Sequence, residues 1–226
     1  MRFGGFCADP ELRAIIMKRE EKNILSRQRI LDAAMTEFSR NGYDAASTNT
    51  ICSEYGISKG IIYHYFKDRD ELYLLCVKRC FDLITEYLSE TARLMNGSAE
   101  KRLQSYFDAR LCFFSENREC LGIFIDAVFS PPKGLAPEIA KLRREFDKLN
   151  ISVLTSLLES EPLCSGMSVE TVVRDFAMYM DYFNLNYKTA MSFEQSSSAL
   201  LHEHEERCHR QLHILLYGVL NRDNER

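Results

Sequence analysis

Ser47 and Ser58 each precede a short run with helical apolar spacing, and the chain between them turns at Gly56. A serine at a helix start accepts a hydrogen bond from one of the first backbone N–H groups, and the other N–H groups, with the partial positive charge of the helix end, stay available. Two such ends side by side offer docking points for phosphate oxygens. A short helix, a tight turn and a second short helix is the helix-turn-helix arrangement, whose second helix lies in the major groove of DNA. Any pair of short capped helices shares these properties, so spacing alone leaves DNA binding and a plain helical corner both open.

Two other groups of residues could do chemistry. Arg110 in YFDARLCFF and Asp126 in LGIFIDAVFS are charges inside apolar runs. Each needs a partner if buried: they pair with one another, or one of them orients a charged ligand. Near the C-terminus, His204 with Cys208 and His209 with His213 stand one helical turn apart, a spacing able to clip a transition metal. The interleaved Glu203, Glu205 and Glu206 read instead as a solvated helix face with ordinary i, i+4 charge pairs, so no metal is assigned. Eight cysteines (Cys7, Cys52, Cys76, Cys80, Cys112, Cys120, Cys164 and Cys208) occur without a CxxC pair and read as reduced, small core residues. Cys76 and Cys80, one turn apart, would form a thiol sensor only with distortion, since such a pair lies too far apart to bridge. No Gly-rich phosphate loop, nucleophile elbow or HExxH pair is present, which supports neither an enzyme nor a cofactor.

The elements that position these residues are all helical, without alternating strands, internal repeats or low-complexity tracts. Asp9 and Pro10 form a cap-then-first-turn signal, so Glu11 to Lys22 reads as a helical extension; Met17 is an alternative start, which would leave Phe3 to Cys7 as a tail. Ile30, Leu31, Ala34 and Phe38 mark an amphipathic helix that stops at Asn41 and Gly42. The second helix runs from Ser47 to Tyr55 and the third from Lys59 to Phe66. Asp68 and Arg69 open a fourth, whose buried candidates are Leu72, Leu75, Val77, Phe81, Ile84 and Leu88. Further helices are predicted at roughly 99–117, 119–130, 136–160, 168–190 and 197–221, broken most firmly at Pro131, Pro132, Gly134 and Pro137. The resulting division is 1–22 as extension, 23–69 as helix-turn-helix domain and 70–226 as a larger helical domain.

The 226 residues, 46% of them hydrophobic, suffice for a substantial core. No run of about 18 apolar residues suggests a membrane span, and the charged N-terminus lacks a signal-peptide core, so a soluble cytoplasmic protein is predicted. The formal net charge of -4 is unevenly spread: residues 1–79 carry 13 Lys and Arg against 11 Asp and Glu, and residues 80–226 carry 16 against 22. Mild positivity in the first part suits a limited set of phosphate contacts.

From Ile30 to Leu72 the segments ILDAAMTEFSRNGYDAAS and ICSEYGISKGIIYHYFKDRDEL resemble the tetracycline-repressor family, with the spacing of Gly42, Ile51, Gly56, Ser58, Lys59, Gly60, Tyr63 and Phe66 all present together. The resemblance implies a repressor that binds palindromic double-stranded operator DNA as a homodimer and is released by a small-molecule effector. It makes Lys59, Gly60 and Ile61 the leading residues of the recognition helix, Lys59 donating to guanine and Gly60 letting the backbone come close. Tyr63 and His64 would contact phosphate and sugar, Ser47 and Asn49 would hold phosphate, and Arg69 would keep positive charge where the family usually has Lys. Ile51, Ile62 and Phe66 read as core, Tyr65 as packing. A helical adaptor without sequence-specific DNA binding, and a metal- or thiol-responsive regulator, are the alternatives.

The resemblance also implies pairing of the last two helices with their symmetry mates, through Val172, Val173, Phe176, Met180 and Phe183 in one and Leu201, Leu212, Leu215, Leu216, Val219 and Leu220 in the other. An aromatic-rich stretch from Tyr106 to Tyr187 would line an effector cavity or fill the core. Arg110, Phe114, Asp126 and Tyr182 are its candidate ligand contacts.

Overall fold

The computed structural model describes residues 10–190 and 197–219, and the expectations on Phe3, Cys7, Asp9, Leu220 and the side chains of Met17 and Tyr187 lie outside the described part. Ten α-helices make up the described chain: α1 Pro10–Ala45, α2 Thr48–Tyr55, α3 Lys59–Tyr65, α4 Arg69–Leu94, α5 Ala99–Glu116, α6 Arg118–Phe129, α7 Ala136–Leu142, α8 Arg144–Glu159, α9 Val169–Ala190 and α10 Ser197–Val219. The all-α class follows the sequence pattern, and so do most of the boundaries.

Local chemistry explains the ends. The predicted stop at Gly42 is a glycine at φ 66°, ψ 177°, a left-handed φ that takes the chain out of α1 before Ala46. Ser47 Oγ accepts from the Asn49 N–H at 3.1 Å, Ser58 Oγ from Ile61 at 3.3 Å and Asp68 Oδ1 from Glu71 at 2.8 Å, so α2, α3 and α4 each start on a side-chain cap. Gly56, at φ 61°, ends α2 in the left-handed conformation. One boundary differs from the sequence expectation: the helix predicted over 136–160 bends at Arg143 into α7 and α8. No glycine or proline marks the bend, because Arg143 stays in the right-handed region at φ -77°, ψ -14°. Its guanidinium is held instead by Asp147 at 2.9 Å and Asp181 at 3.5 Å.

One continuous apolar core runs through the molecule. Ile30, Phe38, Ile51, Ile62 and Phe66 join α1, α2 and α3, and Phe81, Phe114, Phe124, Phe129 and Phe146 fill the larger helical body. Leu75 is half-buried, while Tyr73, Cys76 and Cys80 of the same helix are buried. Cys76 and Cys80 are free thiols pushed well up by burial, which suppresses the thiolate that sensing chemistry needs. The expectation of core cysteines fails at Cys112, which is exposed. Among the described residues no helix is long and apolar enough to cross a membrane.

The predicted pairing stripes turn inward. Val172, Leu201, Leu212, Leu216 and Val219 are buried, and Val173, Phe176, Met180, Phe183 and Leu215 are half-buried against the core. Among the described residues of α9 and α10, the large apolar side chains left exposed are Met178, Tyr182 and Ile214, at 66%, 66% and 57%.

Candidate nucleic-acid interface and ligand cavity

The exposed side of α3 gathers most of the residues expected to read DNA. Ser58, Lys59, Gly60, Ile61, Tyr63 and His64 are exposed, whereas Ile62 and Phe66, on the opposite side, are 1% exposed and fix the helix to the core. Ile61 and Tyr63 leave 47% and 43% of their surfaces in solvent, on a helix whose other large apolar residues, Ile62 and Tyr65, pack against the core. A Cβ placed on Gly60 would meet nothing within 4 Å, so the fold has room for a larger residue there. Glycine inside a helix costs about 1 kcal/mol relative to alanine, and its use at an open position suits the close approach of something outside the chain.

Neighbouring groups hold this face in place. Lys59 Nζ lies 3.3 Å from Asn49 Oδ1, which brings the exposed start of α2 beside the start of α3. Ser47, half-buried, caps α2 with its hydroxyl and donates its backbone N–H to Glu37 Oε1 at 2.8 Å. Glu37 is 4% exposed and was not singled out from sequence, where it reads as one more polar residue of an amphipathic helix. Arg29 Nη2 donates to the Tyr55 carbonyl at 2.6 Å, and Tyr65 Oη to Asn23 Oδ1 at 3.0 Å, in keeping with a packing role for Tyr65. Arg69 is half-buried with its guanidinium 4.3 Å over the Tyr43 ring, and its Nε and Nη2 have no acceptor among the described residues.

Asp126 points away from the helical body, toward this head. Its Oδ2 accepts from the Tyr43 backbone N–H at 3.0 Å and from Tyr73 Oη at 2.7 Å, and Tyr43 Oη donates to Asp70 Oδ1 at 2.5 Å. Desolvation, then the adjacent Asp126 carboxylate, push the Tyr73 hydroxyl far up, so it stays a donor. The expected alternative of an Arg110–Asp126 pair is therefore corrected: the two charges belong to different networks.

Between α5, α6, α8, α9 and α10 lies a cavity of about 240 Å³. Phe107, Phe124, Phe146, Phe176, Val128 and Met180 supply much of its apolar wall. Of the four expected ligand contacts, only Arg110 lines it. Phe114 is 1% exposed in the core, Asp126 faces α1 and α4, and Tyr182 is exposed on the outer side of α9.

Arg110 Nη2 donates to Glu205 Oε1 at 2.9 Å, and His204 Nδ1 lies 3.3 Å from the same oxygen. Burial by itself would raise the Glu205 carboxyl, but Arg110 and His204 outweigh it and hold it below the ordinary range. Burial likewise opposes the Arg110 charge, and Glu205 more than restores it. Glu205, at 1% exposure, overturns its assignment to a solvated face; its neighbours Glu203 and Glu206 do form the predicted i, i+4 pairs, with Arg207 and His202. Of the metal candidates, His204 and Cys208 are buried at 3.7 Å from one another, His209 and His213 have ring centres 6.3 Å apart, and no group of three potential ligands forms among the described residues.

Comparison with known proteins places this geometry. The family model described as bacterial regulatory proteins, tetR family, matches residues 30–76. The biofilm operon icaADBC negative transcriptional regulator IcaR of Staphylococcus aureus is 29% identical over 82 residues, 36% of this chain and 44% of that protein. The transposon Tn10 TetC protein of Escherichia coli is 30% identical over 94 residues, 42% of this chain and 47% of that protein. The chain thus spans about half the length of these curated relatives. The transcriptional regulator FadR of Bacillus subtilis, solved with stearoyl-CoA, shares the fold at a TM-score of 0.59 and 16% identity, over 84% of this chain and 98% of that one. The family model falls on the capped helices that build the exposed α3 face, so residues 30–76 are similar to the tetR family of bacterial regulatory proteins.

Proposed function

We propose that the protein is a homodimeric, repressor-type transcription regulator acting on DNA in the cytoplasm, in which residues 23–69 read a palindromic operator and residues 70–226 sense an effector and dimerise. One observation carries the reading: Lys59, Gly60, Ile61, Tyr63 and His64 stand exposed on one face of α3 while Ile62 and Phe66 lock its other face. Lys59 and Ile61 suit base edges, a lysine donating to guanine and an apolar side chain touching a thymine methyl. Ser47, Asn49, Ser58, Tyr63, His64 and Arg69 are assigned to the phosphate backbone, which sets register without reading sequence.

A single head of this size binds weakly, and two heads about 34–36 Å apart, or a multiple of that spacing, meet successive half-sites. Because the long apolar stripes of α9 and α10 face inward, the partner is assigned to their outer sides, around Met178, Tyr182 and Ile214. Effector entering the cavity shifts the population toward a state whose two α3 helices no longer match the operator. IcaR, a negative regulator, supports repression, and a FadR carrying stearoyl-CoA supports effector binding within this fold.

Selection of bound sequences from random duplex DNA at fixed salt tests the reading. A palindrome with regular half-site spacing is the expected product; a pool without enrichment at low salt would instead identify a helical adaptor.

A further inference from the structure

We infer that the cavity takes an uncharged, largely apolar molecule carrying one carbonyl-type hydrogen-bond acceptor, held between the Asn150 amide and the Arg110 guanidinium. The inference rests on the cavity being the effector site and specifies what that effector is chemically. Aromatic walls at Phe107, Phe124, Phe146 and Phe176 favour an apolar body.

The charges at the deep end are already matched. Arg110, 9% exposed, is paired with Glu205, and its guanidinium also lies 5.3 Å over the Phe146 ring and 5.8 Å over the Phe107 ring. An anion placed on Arg110 would face the Glu205 carboxylate, and a cation would compete with Arg110 for it; either leaves a buried charge short of its partner. At the rim, Arg143 stands between Asp147 and Asp181, so the acidic groups outnumber the basic one and an anion finds no compensation there.

The unused polar atoms on residues that line the deep end are donors; Glu205 Oε2, the buried acceptor without a partner, belongs to a residue outside the cavity lining. Tyr106 Oη donates to Asn150 Oδ1 at 2.8 Å, and Arg110 Nη1 approaches the same oxygen at 3.5 Å. Burial pushes the Tyr106 hydroxyl up to about 12, which keeps it protonated and donating. Donation to Oδ1 sets the orientation of the amide, leaving Nδ2 to supply N–H groups that no acceptor among the described residues meets. Arg110 Nε is likewise buried without an acceptor. A ketone, ester, lactone or amide carbonyl supplies the missing acceptor without adding charge.

Calorimetry on the full chain without DNA, with four probes of one shape, tests this. Benzophenone is expected to bind about tenfold more tightly than diphenylmethane, diphenylacetate or diphenylmethylammonium, the advantage of one satisfied hydrogen bond in a buried site. Asn150→Leu is expected to bring benzophenone down to the level of diphenylmethane. Asn150→Asp, which puts an acceptor where the donor was, is expected to weaken benzophenone further. A preference for either ion, equal binding of benzophenone and diphenylmethane by the unaltered chain, or no binding by any probe overturns the inference. Release of operator is followed separately by anisotropy, so a chain that ranks the probes as expected yet binds no operator refutes the DNA reading and leaves the ligand assignment standing.

Discussion

At the scale of single residues, the exposed α3 face separates stability from recognition. Lys59→Ala removes an exposed amine that donates to Asn49 Oδ1 at 3.3 Å, so melting should hardly change. Operator affinity measured by fluorescence anisotropy should fall by about 1–3 kcal/mol, with relaxed base preference at one position. Gly60→Ala fills open space in a helix and should stabilise the fold by up to about 1 kcal/mol while weakening operator binding, two effects of opposite sign that no loss of folding can imitate. Glu205 has the opposite character, since it is buried and holds structure. Its carboxyl sits below the ordinary range in the folded chain, so between the two values the unfolded chain binds more protons and stability rises with pH. That contribution is complete above the ordinary carboxylate range and is lost as pH falls through the depressed value. Glu205→Gln should cost about 3–5 kcal/mol at neutral pH by leaving Arg110 uncompensated, and should flatten the acid side of the melting-temperature profile.

At the scale of elements, α6 is the piece that touches both the cavity and the head. Phe124 and Val128 line the cavity, whereas Asp126 holds the Tyr43 backbone and the Tyr73 hydroxyl. A Cβ on Gly122 would lie 2.3 Å from the Ser39 carbonyl oxygen, so α1 and α6 approach as closely as only glycine permits, and Ser39 Oγ donates to the Arg118 carbonyl at 3.2 Å. A ligand that displaces Phe124 must therefore be felt at α1 and α4. Asp126→Asn replaces the carboxylate oxygen shared by the Tyr43 N–H and the Tyr73 hydroxyl with a weaker, neutral amide acceptor and should lower stability by about 1–3 kcal/mol in chemical denaturation. If α6 carries the signal, the same variant should bind effector yet release operator less completely; unchanged release would assign the coupling to another helix.

At the scale of the whole molecule, the proposed action on DNA depends on association and charge. Ile214→Glu places a charge on the outer side of α10, where the side chain is 57% exposed, so the folded protomer should survive. Light scattering should show a mass near twice 26.2 kDa for the unaltered chain and the single mass for the variant, with operator affinity falling in parallel. A variant that remains dimeric would move the interface away from this face. A chain of net charge -4 with only a mildly basic N-terminal part is expected to make few phosphate contacts, and the proposed operator binding should still weaken steadily with added salt.

Local chemistry made the head legible. The caps at Ser47, Ser58 and Asp68 and the left-handed glycines at 42 and 56 act within a few residues of themselves, so sequence spacing alone located α2, α3 and the start of α4, and the residue types on them carried the family resemblance. The last helices were placed equally well by periodicity, but periodicity says that a stripe is buried and not against what. Only the tertiary structure decided that the α9 and α10 stripes face inward, that Asp126 serves the head and that Arg110 takes Glu205 as its partner, 95 residues along the chain. Glu205 stands beside two glutamates with short-range partners, and no local pattern distinguishes a carboxylate turned to solvent from one turned into the core. That choice depends on which distant cation the packing of α5 against α10 brings within reach.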